Sequence, residues 1–300
     1  MPSCTIRRLP PHLAEHAART AAWHNPANCP SRHPALGALA PQHIALLTSK
    51  YWGPKGVDLT VQFLDLGTTR ARDVQLKQKI LAHMNAWGTR ANVRFHEVTK
   101  GSGQVRVARG QGGYYSYLGT DIEHVPTSEQ TMNLQDFTLD TPDSEFYRVV
   151  RHETGHTLGF PHEHERAEII ALLDSNKVIS SFMASQGWSR QEVIDQILTP
   201  LAAGDIQATA ADVRSIMCYE FDGSVTKSGQ PIPGGLDINE QDYSFAASIY
   251  PPTAAPTSPP PSVVPPVSPP PPVSPPAPSQ LSVTVVVDPV GKKVVGSTVS

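Results

Sequence analysis

The chain has 300 residues, 39% hydrophobic and 17% charged, enough to bury a core, which excludes a wholly disordered protein. Its net charge of −3 offers no basic field to nucleic acid, and no run reaches the ~18 apolar residues of a membrane-spanning helix. Its three cysteines, Cys4, Cys29 and Cys218, are too scattered for a disulfide framework and lack the paired spacing of a thiolate zinc site.

Residues 1–48 are rich in Ala, His and Pro, with a helical pattern near His12 to Ala22 but no core period, and read as an N-terminal extension. No apolar run of the kind a secretory signal needs follows the early basic residues, so the sequence alone favours a cytoplasmic location. From Tyr51 the texture is globular: LTVQFLD (59–65) predicts a strand and Asp73 to Trp87 an amphipathic helix. VRFHEV (93–98), QVRVAR (104–109), YYSYLG (114–119) and QTMNLQ (130–135) predict four more strands, giving a mixed α+β sheet. The glycines of GSGQVR (101–106) run into a strand, the wrong context for a nucleotide, and mark a turn. Thr141 as N-cap with Pro142 in the first turn starts a helix. GWSRQEVIDQILTPL (187–201) is helical in period and reads as an insertion without an assigned role. Half of the chain's 30 prolines fall in residues 251–280, a polyproline spacer. Beyond it, residues 281–300 form a short β tail, two strands flanking a DPVG turn; spacer and tail together are a candidate docking element for a surface or protein partner.

The chemistry concentrates in HETGHTLGFPH. His152 and His156, four apart, project from one helix face and can share a metal ion. Gly159 can take φ > 0 and reverse the chain, which returns His162 as a third ligand. Three imidazoles with one open position describe a catalytic Zn²⁺, one ion per chain, and Glu153 beside them is the natural general base for a zinc-activated water.

Downstream lies SIMCYEF, with Met217 and Tyr219. HExxHxxGxxH followed by such a turn resembles the metzincin zinc endopeptidases, and HETGHTLGFPHEHER (152–166) is similar to the string of the astacin peptidases, over roughly residues 49–250. The resemblance implies a metzincin-type zincin fold: a five-stranded mixed twisted sheet, an active-site helix above a cleft, and a smaller irregular and helical lower subdomain. It further implies His152, His156 and His162 as zinc ligands, Glu153 as base, Met217 as an apolar floor, and Tyr219 as a catalytic residue that ligates resting zinc and swings to the oxyanion. Glu163 and Arg166 match positions of structural ion pairing. Tyr114 to Thr120 matches the edge strand that pairs with substrate. Two disulfides common in animal astacins have no counterpart, and after Arg166 the chain leaves the astacin pattern, so a bacterial or fungal relative fits better. The family setting favours secretion and a blocking pro-segment, for which residues 1–48 are the candidate and Cys29 the candidate plug. His164 and the other remaining histidines read as surface or core residues.

The resulting expectation is a zinc metalloendopeptidase acting on protein or peptide substrates, with no nucleic acid partner and no transmembrane segment. Two rivals stand beside it: a binding or adhesion protein with a structural zinc, and a zinc amidase acting on non-protein amides. An intact Glu153 argues for hydrolysis, because a binding module has no use for a base beside an open metal position.

Overall fold

Strand β2 (Val57–Phe63) alternates apolar and polar residues, and its Val57, Leu59, Val61 and Phe63 are all buried, as a strand with one face on a core requires. In the helix that follows, α2 (Ala71–Met84), Leu76, Ile80 and Met84 recur at helical spacing and are buried against the same core. The computed structural model describes residues 4–29, 48–98, 100–201 and 210–252, together with the strand pair at 286–287 and 293–294.

Strands β3 (Val93–Glu97), β4 (Val105–Ala108), β5 (Tyr114–Tyr117) and β6 (Met132–Leu134) complete the five expected from the sequence. A sixth was not foreseen. Residues Cys4–Arg7 form β1, which adds to β5 in parallel, giving the order β1-β5-β6-β4-β2-β3 with only β5 and β6 antiparallel. The described part of the extension, residues 4–29, is therefore built into the body rather than trailing from it. Helix α1 (Ala14–His24) buries Ala17 and Ala21, and the Asn28 carboxamide donates to the carbonyls of Ala21 and Tyr51 at 2.8 and 2.7 Å.

The helix predicted from Thr141 begins one residue later. Pro142 is its N-cap, and the Thr141 hydroxyl instead accepts from the Thr138 N–H, which holds the preceding turn. Below the cleft, α4 (Ser175–Gln186) is capped by Asp174 and ends at Gly187 with φ +70. Next, α5 (Arg190–Val193) starts in a reciprocal Ser189–Glu192 capping box and runs into a π turn, Ile194–Leu198. Val193 and Ile197 anchor this segment in a second, lower core with Val178, Ile179 and Phe221. Helix α6 (Glu240–Ile249) returns to the upper core through Ala246 and Ile249.

The chain divides into two compact units, Met1–Thr253 and Ala254–Ser300. In the second, β7 (Val286–Val287) and β8 (Lys293–Val294) pair antiparallel, where a hairpin was expected. The proline-rich spacer from residue 253 onward lies outside the described residues. Among the described residues, no helix is long and apolar enough to cross a membrane.

Candidate metal centre

The site grows from one rod of helix: an α turn at Asp143–Glu145, a π turn at Phe146–Val150, then α3 (Arg151–Thr157). All of α3 beyond Arg151 is buried, including His152, Glu153 and His156. Gly159, at φ +94, ends the rod: its N–H donates to the His156 carbonyl at 2.8 Å and the Phe160 N–H to Gly155 at 2.9 Å. A Cβ there would stand 2.9 Å from the Lys50 carbonyl, so both conformation and space call for glycine. The chain then doubles back and delivers His162 beneath the helix.

Backbone carbonyls orient the imidazoles. His152 Nδ1 lies 2.6 Å from the Ile216 carbonyl and His156 Nδ1 2.8 Å from that of Phe160. Each Nδ1 thus carries its proton, leaving an Nε2 lone pair for a metal. Burial holds these rings neutral, pushing His152 down to about 4 and His156 and His162 well below the ordinary range. His156 Nε2 and His162 Nε2 lie 3.1 Å apart, close to the roughly 3.3 Å separating two nitrogens at tetrahedral zinc. His152 Nε2 is buried without a hydrogen-bond partner. Two converging lone pairs and an orphaned buried nitrogen are what a cation would satisfy, so the donor set fits zinc.

A fourth donor completes the group. The ligand atoms of Cys4, His152, His156 and His162 all lie within 4.8 Å of one another, and all four residues are buried. Cys4 arrives on β1, which lies in register along β5, Cys4 opposite Tyr114 and Ile6 opposite Ser116. The strand expected to receive substrate is thus already paired with the chain's own N-terminal segment. Cys29, the candidate plug, is exposed at the end of the turn Pro26–Asn28 and does not join the group. A cysteine on a strand added along β5 is carried to the histidines, and one in an exposed turn is not.

Glu153 is fully buried; burial raises it to about 8, with the neighbouring Cys4 thiol, which hydrogen-bonds to it, and Arg148 drawing it back. Under the histidines runs the turn Ser215–Tyr219. Asp242 fixes it, accepting from the Ser215 hydroxyl at 2.6 Å and the Ile216 N–H at 3.0 Å. Ile216 and Met217 belong to the upper core, Cys218 and Tyr219 to the lower, so the turn is the seam between them. A Cβ on Gly155 would come within 2.5 Å of the Met217 sulfur, which ties the floor to the helix above it. The Tyr219 ring sits 4.7 Å from that of His162, its hydroxyl buried and without a partner.

His164 carries more than a plain core reading allows. Its Nδ1 accepts from the Tyr219 N–H at 3.3 Å, its Nε2 lies 3.1 Å from the Gln196 carbonyl, and its ring stacks on His162 at 4.6 Å. One letter in HEHER could not reveal these partners, which come from two distant segments. Glu163 and Arg166 do pair, at 3.3 Å, and the same Glu163 oxygen accepts from the Asp212 N–H at 3.0 Å.

Burial also raises Glu165 to about 8, with Arg8 opposing. The folded chain keeps this proton between pH 4.5 and 8 while the unfolded chain releases it. Stability therefore falls as pH rises through that window, by at most about 1.4 kcal/mol per unit. Glu165→Gln is expected to lose less stability than wild type between about pH 5 and pH 8 in thermal melts; parallel losses would assign the pH dependence elsewhere.

The edge strand allows a second test. The Tyr117 N–H donates to Thr131 on the β6 side, so that of Ser116 points the opposite way, toward β1 and the side a substrate would take once β1 is removed. Ser116→Pro removes it and is expected to raise KM for peptides about tenfold with zinc content intact; unchanged kinetics would take β5 out of substrate binding.

Comparison with known proteins agrees with this geometry. The family profile described as astacin, a peptidase family, matches residues 67–227. The zinc metalloproteinase nas-27 of Caenorhabditis elegans is 26% identical over 176 residues, 58% of this chain and 35% of the nematode protein. The chain thus spans about a third of the length of that curated relative. A solved structure of myroilysin is 31% identical at a TM-score of 0.62, over 68% of this chain and 97% of that one. A crystal structure of myroilysin is 34% identical at a TM-score of 0.51, over 68% and 86%.

Proposed function

We propose that this chain, which belongs to the astacin family of zinc metallopeptidases, is an endopeptidase held latent by its own N-terminal strand. One observation carries the reading: three buried imidazoles converge with the Cys4 thiol beside the buried Glu153. Four protein ligands would by themselves describe a structural zinc site. Here, however, the fourth comes from an extension preceding the 49–250 catalytic segment, and its departure would leave three imidazoles and one open position.

Zinc, when bound, supplies a Lewis acid that polarises a peptide carbonyl and makes a neighbouring water easier to deprotonate. The remaining work falls to the protein. The carbonyls of Ile216 and Phe160 hold His152 and His156 in the tautomer that binds metal. Glu153 takes a proton at its carboxylate as water attacks and, once protonated, can deliver it to the leaving amine. The Tyr219 hydroxyl, without a competing partner, donates to the carbonyl oxygen as its charge grows. Strand β5 aligns the peptide by main-chain pairing once β1 has left, which gives affinity with little demand on side chains.

Casein hydrolysis by the zinc-loaded protein, before and after limited proteolysis that removes the residues ahead of Ser49, tests the reading. Activity that appears on removal and vanishes with a chelator supports it. Absence of hydrolysis in both states, with zinc bound, would return the assignment to an amidase or a binding protein.

A further inference from the structure

Strand β1 is held on both edges. One edge pairs with β5; on the other, the Ile6 N–H donates to Gln196 Oε1 at 3.2 Å and Gln196 Nε2 donates to the Ile6 carbonyl at 3.3 Å. Two residues on, the Arg8 guanidinium donates to the Asp195 carbonyl at 3.1 Å. In an extended chain the N–H and C=O of one residue point the same way, and those of its neighbours point opposite. The Gln196 carboxamide, with one donor and one acceptor, thus satisfies both groups of Ile6, as a further strand would.

Its placement is built. Gln196 lies in the π turn Ile194–Leu198, between the buried Val193 and Ile197, and such turns recur at functional positions. Because His164 Nδ1 accepts from the Tyr219 N–H, Nε2 carries the ring proton and donates it to the Gln196 carbonyl. The lower lip of the cleft is thereby tied to the turn beneath the metal position, while the Gln196 side chain reaches across to the bound strand.

We propose that Gln196 is a positioning residue for substrate. Once β1 has left, its carboxamide grips both main-chain groups of the substrate residue that faces away from β5 at this level, the residue opposite Ser116 in a parallel peptide and its neighbour in an antiparallel one. Chain direction does not matter to this grip, since rotating the carboxamide by half a turn exchanges donor and acceptor. An antiparallel peptide presents such a donor and acceptor pair one residue along from the position opposite Ser116, because the residue directly opposite turns both its groups to Ser116. The segment 187–201 thus acquires a role, and main-chain recognition acts from both rims. The inference rests on the endopeptidase reading, but its test does not depend on turnover.

The test uses the full-length, zinc-loaded chain in a Cys29→Ser background, with extended peptides as competitors for the cleft and the labelling rate of the Cys4 thiol as readout. A peptide that displaces β1 exposes the thiol. Each backbone nitrogen of the peptide is methylated in turn, and the penalty of each methyl group is compared between wild type and Gln196→Ala. Comparing each methylated peptide with its parent within one protein cancels any change in the hold on β1. At one position methylation is expected to weaken competition about tenfold in wild type and hardly at all in Gln196→Ala. At positions facing β5 the penalty should be the same in both proteins. Gln196→Glu, which keeps an acceptor, should retain the penalty, and so guards against a collapsed lower lip in the alanine variant. Identical methylation profiles in wild type and Gln196→Ala would overturn the proposal, as would failure of every peptide to speed labelling at saturation. Position-specific loss without peptide hydrolysis would keep the grip and refute the endopeptidase reading; hydrolysis with identical profiles would do the reverse.

Discussion

Glu153→Gln is expected to lower kcat/KM for a quenched peptide by about 10²–10⁴-fold, the usual share of a general base, while about one zinc per chain is retained. Activity and metal content should separate because the metal donors are imidazoles held by the Ile216 and Phe160 carbonyls, and none of those contacts involves the Glu153 carboxylate. Glutamine preserves the shape in a fully buried position, so packing around α3 should survive the exchange. A neutral amide cannot accept the proton of an attacking water, and the loss should fall on kcat more than on KM. The measurement pairs steady-state kinetics of the activated variant with metal analysis. Retention of more than a tenth of wild-type kcat would give the base to another group; loss of zinc together with activity would make Glu153 part of the metal's support.

Much of this site was legible because its geometry is local. The spacing of His152, Glu153 and His156 is a statement about one helix face, and Gly159 forecast the reversal that returns His162. Even the floor could be anticipated through a short string around Met217. What escaped notice is non-local. Nothing in SCTIRR marks Cys4 as a metal neighbour, since its position follows from pairing Cys4–Arg7 with Tyr114–Tyr117, and strand partners far apart in sequence leave no trace in either one. Cys29 reads as the candidate plug from its own segment, yet local features do not decide which thiol reaches a buried centre. The same holds for His164 and Gln196: each looks ordinary in its own segment, and their relation exists only after the lower core forms around Val193 and Ile197. The strand pair of the tail was legible for the same local reason, since its two valine-rich runs are neighbours in sequence about the DPVG turn.

Cys4→Ser is expected to convert the intact chain from a lagging to an immediately active peptidase, with initial rates about tenfold or more above wild type, each ~1.4 kcal/mol of lost hold being a factor of ten. A thiolate is a strong zinc ligand, whereas a serine hydroxyl stays protonated near neutrality and binds poorly in its place. The variant nonetheless keeps the pairing of β1 with β5 and the Gln196 contacts to Ile6, so activation should stop short of that reached by proteolysis. Activity alone would not distinguish a lost ligand from a loosened strand. Cobalt substitution does: a cysteine thiolate on cobalt adds a charge-transfer absorption that three imidazoles and a hydroxyl cannot produce. That band should be present in the intact wild type, absent from Cys4→Ser and from proteolytically activated protein, and unaffected by Cys29→Ser. A wild type without the band, and as active intact as cleaved, would make Cys4 a core cysteine whose closeness to the histidines has no bearing on latency. A band that survives cleavage would place the thiolate elsewhere in the chain, and Cys218, buried in the turn beneath the histidines, would become the residue to replace.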